Sequence, residues 1–375
     1  MQGQAVRGCA YKYSEKALFI METRIISINQ ERIQENLLKE AGDVLKAGGL
    51  VAFPTETVYG LGGDALNPHS SEKIYAAKGR PSDNPLIVHI SRFEDMQSIV
   101  SKVTPEAVKI AKAFWPGPLT MILPKSERVP YETTGGLETV AVRMPSHPVA
   151  RKLIAYGGGF VAAPSANLSG KPSPTLAGHV IEDMQGRIDV IIDGGEVGIG
   201  IESTIIDLTV SPPQILRPGY ITQTMLTQVL GQVDEDVTMF HADTNQTPKA
   251  PGMKYRHYAP NGDLTIVQGE AGQVLSYINA QAKKDAQAGE KVGVIATGEL
   301  FDSYCADVVK SVGSRSAEED IARNLYRILR EFDKEQVTRI YSESFEAAGF
   351  GQAIMNRLLK AAGHKVIKLN EKESI

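Results

Sequence analysis

The sequence predicts an α/β protein of two units, and three observations carry that expectation. Apolar runs of strand length alternate with helix-length stretches whose apolar residues recur every three or four positions. The junctions between them are rich in Gly, Pro, Ser, Thr and Asn, as connections between regular elements are. The alternation breaks once, between Gly231 and Gly262, and is cleaner after the break than before it. A chain of 375 residues has two domains as its prior. The boundaries read from these shifts are 1–20 for an extension expected to lack structure, 21–232 for the first unit, 233–262 for a linker and 263–375 for the second unit. In the extension, Arg7, Lys12 and Lys16 interleave with polar residues and no apolar block of signal-peptide length follows.

The first helix spans Glu31–Ala47, where Ile33, Leu37, Leu38, Ala41, Val44 and Leu45 form one stripe. Gly48-Gly49 ends it. Leu50–Phe53 is a short buried strand, and Pro54–Gly63 leaves it as a loop of hydroxyls and glycines. Ser71–Ala77 reads as a helix and Leu86–Ile90 as a strand. Between them lies Lys78-Gly79-Arg80-Pro81-Ser82-Asp83-Asn84-Pro85, cationic and stiffened by proline. The prolines bias Arg80 and Asn84 toward extended backbone. Thr104-Pro105 supplies an N-cap and a proline at the first helical position, for a helix that Pro116-Gly117-Pro118 stops after Trp115. Leu119–Leu123, Val140–Met144, Phe160–Ala163, Val190–Asp193, Ser203–Asp207 and Gln214–Arg217 read as strands, and His147–Tyr156 as a helix. In the second unit, strands are expected at Leu264–Val267, Lys291–Ala296 and Arg339–Tyr341, and helices at Gln273–Ala288, Ala317–Phe332 and Gly351–Ala362. That order gives a small, mostly parallel open sheet with helices on both faces.

Composition narrows the function. A net charge of −4 with 22% charged residues argues against a general nucleic-acid coat or an acidic tail. The two cysteines, Cys9 and Cys305, offer neither metal-ligand spacing nor a disulfide framework, which fits a reducing, cytoplasmic setting. No apolar run approaches the roughly 18 residues of a membrane span. Ser165–Ser173 comes nearest to a phosphate-binding P-loop but lacks its first glycine and carries Pro172 after Lys171. There is no G-x-S-x-G elbow and no histidine pair at zinc-binding spacing.

What remains is a set of donors and cations without a covalent nucleophile: Thr55, Thr57, Lys78, Arg80, Ser82, Asn84, His89, Arg143, Ser165, Asn167, Ser203 and Arg217. Several fall at strand ends, where open α/β sheets place ligands. Such a set suits a reaction driven by positioning and charge neutralisation, of which phosphoryl or nucleotidyl transfer is the standard example. Blander readings stay open. Lys78 and Arg80 could be solvated charges, His89 a core histidine, Thr57 and Ser165 turn formers, Tyr59 and Trp115 packing residues, and Glu56 and Glu202 loop caps. Arg143 resists such a reading, because a charge inside Val140–Met144 is costly without a carboxylate or an anion beside it.

Pro54-Thr55-Glu56-Thr57-Val58-Tyr59-Gly60-Leu61, Lys78-Gly79-Arg80-Pro81 with Asn84-Pro85-Leu86, Trp115–Thr120, Val142-Arg143-Met144-Pro145, Pro164–Gly170, and Ser203-Thr204-Ile205 with Leu216–Gly219 follow one another in an order that resembles the YrdC/Sua-type threonylcarbamoyl-AMP synthases. The linker segment Lys254–Pro260 and the second unit resemble the longer, two-domain branch. The resemblance implies a YrdC-like twisted mixed open sheet with flanking helices, plus a smaller Rossmann-like parallel α/β domain. It implies that L-threonine, bicarbonate or carbon dioxide, and ATP give threonylcarbamoyl-AMP and pyrophosphate. A separate transferase complex would then use the product on the tRNA adenosine next to the anticodon, with at most weak tRNA contact here.

By the same resemblance Thr57, His89, Arg143, Ser165 and Ser203 hold threonine or its carbamate. Arg80, Asn84, Thr139, Asn167, Thr175, Arg217 and Tyr258 hold ATP, and Lys78, Arg80 and Arg143 carry the charge work of catalysis. Mg²⁺ would ride mainly on the phosphates, with no protein metal ligand assigned. The linker, with Tyr255, His257 and Tyr258, would act as a lid, and ATP with threonine would protect 248–260 from proteolysis. Arg143→Ala should remove activity with the fold intact. The alternatives are a tRNA- or double-stranded-RNA-binding module without turnover, and a carbamoyl-transfer domain of the hydrogenase-maturation kind.

Overall fold

The computed structural model describes residues 21–236, 250–251, 257–346 and 348–369; the expected N-terminal extension and Tyr255 lie outside them. The first unit runs, in chain order, through β1 (Arg24–Ser27), α1 (Glu35–Lys46), β2 (Val51–Phe53), β3 (Gly60–Asp64), α2 (Pro68–Lys78), β4 (Ile87–Ile90), α3 (Pro105–Phe114), β5 (Leu119–Pro124), α4 (Tyr131–Thr134), β6 (Thr139–Arg143), α5 (Pro148–Tyr156) and β7 (Phe160–Ala162). It continues with α6 (Ala177–Met184), β8 (Val190–Asp193), β9 (Thr204–Asp207), β10 (Gln214–Arg217), α7 (Gln223–Leu230) and β11 (Asp234–Glu235). The second unit has β12 (Asp263–Gln268), α8 (Ala271–Gln287), β13 (Val292–Ala296), β14 (Val308–Ser311), α9 (Glu318–Lys334), β15 (Arg339–Glu343), α10 (Gly351–Ala361) and β16 (Val366–Lys368).

The first sheet has the order β1-β8-β2-β3-β7-β4-β6-β5-β9-β10-β11 and mixes parallel pairs, such as β4 with β6, with antiparallel ones, such as β5 with β6. The second has the order β14-β13-β15-β12-β16 and is parallel throughout. The α/β class, with a mixed open sheet and a smaller parallel one, is therefore the one expected. Local chemistry sets the helix ends. The Thr104 hydroxyl accepts the Ala107 N–H at 3.2 Å to start α3, and Gly79 ends α2 at φ 61°. In α9, Glu318, Glu319 and Asp320 sit in the first turn and Lys334 in the last, matching the helix dipole at both ends.

Gly60–Gly63 is a strand and not the expected loop. A Cβ on Gly62 would stand 2.8 Å from a Val161 methyl and 2.9 Å from the Phe53 ring, so neighbouring side chains fill the space that β3 lacks. The segment after Arg80 is a turn rather than an extended arm, closed by Asn84 N–H to the Pro81 carbonyl at 3.3 Å. The first sheet also passes the expected boundary at 232, because Asp234 and Glu235 pair with β10.

The two units share a packed interface. Val58 and Ile201 of the first unit and Tyr258 of the linker belong to the apolar cluster built on α9 and α10. Gly200, at φ 89°, lets α9 approach so closely that a Cβ there would lie 2.4 Å from the Arg323 Cα. Arg330 reaches from α9 to the Pro172 carbonyl and to Asp183, both at 2.7 Å.

Candidate active site

The central strands carry the expected site residues in a row. His89 on β4 and Arg143 on β6 are register partners, and Arg143 pairs in turn with Thr120 on β5. Across to β9, the Thr120 and Ser203 hydroxyls lie 2.8 Å apart. From the end of β10, Arg217 donates to the Ser203 carbonyl at 3.0 Å and to its hydroxyl at 3.2 Å. In-register neighbours point to one face of a sheet, so short-range pairing converts a scattered sequence set into one wall.

Against that wall is a cavity lined by Thr57, Lys78, Arg80, His89, Arg143, Ser165, Asn167, Arg217 and Tyr258, together with Thr55, Glu202, Pro251 and His257. The space left inside is about 50 Å³, room for a few waters and far below the ~300–1,000 Å³ of ordinary ligand pockets. The linker accounts for part of the closure. The Pro251 carbonyl accepts from Arg217 at 3.3 Å, Ala259 N–H donates to the Gly170 carbonyl at 2.9 Å, and Ala250 packs on Ile87, Ile122, Ala141, Ile205 and Leu216.

The cations are buried, which removes the reading of Lys78 and Arg80 as solvated charges. Lys78 donates to the carbonyls of Ser165 and Asn167, tying the end of α2 to the Pro164–Gly170 loop. Burial, with Arg80 nearby, pushes its ammonium well below the usual lysine range. Arg80 donates to the carbonyls of Asn84 at 3.2 Å and Pro85 at 3.0 Å; burial brings it down to about 10, so it stays charged at neutral pH. His89 is neutral, because burial and then Arg143 hold it down to about 3. Burial likewise lowers Arg217 and raises Tyr258.

Arg143 has the carboxylate partner its strand demanded: Glu56, at 2.7 Å. Asn84, Thr139, Thr175 and Ser203 are not among the lining residues. Ser203 stands directly behind Arg217. Thr139 opens β6 on the same sheet face as Arg143, four residues away. Asn84 and Thr175 are buried, and the Asn84 Oδ1 and Thr175 Oγ1 atoms have no hydrogen-bond partner. The same holds for Arg143 Nε, Glu56 Oε2, His257 Nε2 and both ring nitrogens of His147. Sequence reasoning passed over Thr120, His147 and the pairing of Glu56, for which spacing carries no signal.

No three His, Cys, Asp or Glu side chains gather into a metal-binding group among the described residues. Among the described residues the acid lining the cavity is Glu202, which is engaged by Ser173, Tyr326 and Arg357. No helix of the described residues is long and apolar enough to cross a membrane.

Fold and cavity together define a mixed-sheet α/β protein whose central cavity is cationic and rich in hydrogen-bond donors. Residues 43–219 match the Sua5/YciO/YrdC family model described as Telomere recombination, and residues 221–363 match that of the threonylcarbamoyl-AMP synthase C-terminal domain. The chain is 50% identical to the threonylcarbamoyl-AMP synthase of Pyrococcus abyssi, over 92% of its own length and 100% of that protein. It is 47% identical to the Bacillus subtilis enzyme of the same name, over 94% and 99%. The crystal structure of P. abyssi Sua5 complexed with L-threonine superposes with a TM-score of 0.89 at 49% identity, covering 93% of this chain and all of that one. The chain belongs to the two-domain, Sua5-type threonylcarbamoyl-AMP synthase family.

Proposed function

We propose that this chain makes threonylcarbamoyl-AMP from L-threonine, bicarbonate or carbon dioxide, and Mg²⁺-ATP, releasing pyrophosphate. The observation that carries the reading is the cavity on which the buried cations Lys78, Arg80, Arg143 and Arg217 converge beside Thr57, His89, Ser165 and Asn167, residues the sequence had nominated. Buried cations are costly unless an anion faces them, and a carboxylate and a triphosphate supply that anion.

In this reading the threonine amine takes up carbon dioxide as a carbamate and loses a proton. A carbamate oxygen attacks the α-phosphorus of ATP, the P–O bond to the β-phosphate breaks, and pyrophosphate leaves with the electron pair. Arg143 holds the amino-acid carboxylate, since a planar guanidinium matches two oxygens, with Thr57, His89, Ser165 and Ser203 around the remainder. A neutral His89 can donate or accept without adding charge. Arg80, Asn167, Arg217 and Tyr258, which line the cavity, hold ATP, Asn84, Thr139 and Thr175 stand behind that lining, and Lys78 adds positive charge near the phosphates. Mg²⁺ enters with the triphosphate as part of the substrate. Preorganised cations then lower the barrier without a covalent intermediate. The product would serve threonylcarbamoylation of tRNA by a downstream transferase in the cytoplasm.

The test is pyrophosphate release from ATP with threonine and bicarbonate each present or omitted. Release that requires both supports the proposal. Turnover indifferent to threonine overturns it, and salt-sensitive RNA binding with no turnover would favour the RNA-binding module.

A further inference from the structure

Glu202 is an acid placed where an anionic substrate would bind. It lines the same cavity as Arg217, Arg80 and Lys78. A free carboxylate at such a place would compete with a triphosphate for the arginines. Its hydrogen bonds go elsewhere. Oε1 accepts from the Ser173 hydroxyl, and Oε2 accepts from the Tyr326 hydroxyl at 3.0 Å and from Arg357 Nε at 2.9 Å. Arg357 also donates to the Glu202 backbone carbonyl at 3.3 Å, which fixes the residue next to Ser203.

Both Tyr326 and Arg357 belong to the second unit. Arg357 is fully buried, which is costly for a guanidinium unless its partner is held in return. Burial would raise the Glu202 carboxyl, yet Arg357 and Arg217 hold it down to about 2, so it is an anion at every working pH. Tyr258 of the linker lies against the same pair, 5.2 Å from the Tyr326 ring and 6.0 Å from Arg357.

We propose that Arg357 is a positioning residue of the active site: it holds the Glu202 carboxylate in a hydrogen bond of its own and so leaves the Arg217 guanidinium without a carboxylate partner, available to phosphate. The second unit thereby contributes to nucleotide affinity without touching the nucleotide. This rests on the reading of the cavity as an ATP site.

Calorimetric titration of the full chain with Mg²⁺-ATP, in the absence of threonine, tests it through a charge rescue. Arg357→Met should weaken ATP binding at least tenfold, because Glu202 becomes free to pair with Arg217. Adding Glu202→Gln to that variant should return the affinity to within about threefold of the parent, since no anion then competes. A bracing role alone predicts a double variant no better than the single one, and that result, or a single variant that binds ATP normally, overturns the proposal. If Arg357→Met does not fold, Arg357→Lys, which keeps the charge but loses the fork, enters the same comparison with Glu202→Gln. A parent protein that fails to bind ATP would instead defeat the reading of the cavity itself.

Discussion

Replacing Arg143 should separate stability from binding in a way the sequence does not foresee. The Arg143 and Glu56 side chains are 5% and 13% exposed and 2.7 Å apart. Arg143→Met therefore strands a carboxylate in a largely dry place. Breaking one partner of a buried pair costs ~3–5 kcal/mol, and the residual exposure of Glu56 favours the lower end. A loss of ~3 kcal/mol corresponds to ~6–12 °C in Tm for a domain of about 200 residues. The expectation that this arginine can be removed with the fold intact therefore carries a stability cost, because Glu56 depends on it. Glu56→Gln in the Arg143→Met background removes the stranded charge and should restore stability to within ~1 kcal/mol of the parent. Threonine binding should not return. A charge-assisted contact is worth ~1.5–3 kcal/mol, so both variants should bind threonine ~10–150-fold more weakly. Trp115 is the one tryptophan and sits buried in the first unit, so its fluorescence follows denaturation there, while calorimetry gives threonine affinity. A double variant as unstable as the single would refute the account of the pair. One that binds threonine normally would refute the placement of the carboxylate.

Two further predictions concern the linker and pH. With Pro251, His257 and Tyr258 on the cavity and only about 50 Å³ left, a nucleotide has to displace the linker. ATP alone should therefore increase cleavage within 248–260 in limited proteolysis, in contrast to the protection expected from sequence for ATP with threonine; an unchanged pattern would refute the displacement. The second prediction follows from His89, His179 and His257, each held down to about 3 chiefly by burial. Unfolding frees them to take up protons near 6.5, so between pH 6.5 and 3 the unfolded chain binds more protons and stability falls as pH falls. Each fully buried histidine contributes up to ~1.4 kcal/mol per pH unit in that window. Glu202, lowered from 4.5, adds to the loss only below about pH 4.5. Urea midpoints measured from pH 7.5 to 5 should decline from about 6.5 downward, and a flat profile would refute the burial account.

The elements legible in the sequence were those whose apolar residues share one face. α1 shows its stripe, with Leu38, Ala41 and Leu45 buried, and the strands of the second unit lie between clear helices. The missed elements hide that signal for stated reasons. β3 is glycine because Phe53 and Val161 occupy its side-chain space. α6 buries His179 and Asp183 along with Val180 and Met184, so polar residues interrupt its stripe. β14 is an edge strand with no fully buried residue, where alternation has little to report.

The candidate site was legible as residue types but not as partnerships, and the difference is one of range. Lys78 and Arg80 could be flagged as cations near prolines. That Lys78 is held by carbonyls depends on Ser165 and Asn167, 87 and 89 residues away. Arg143 announced a missing partner because a lone charge in an apolar strand is a local contradiction, and Glu56, 87 residues earlier, resolves it. Arg357 made no such announcement. On a helix a charged residue reads as solvent-facing, and its partner Glu202 is 155 residues away in another domain. A charge is therefore readable from sequence when its own segment makes it costly. It is silent when the cost arises only on docking, as it does for Arg357.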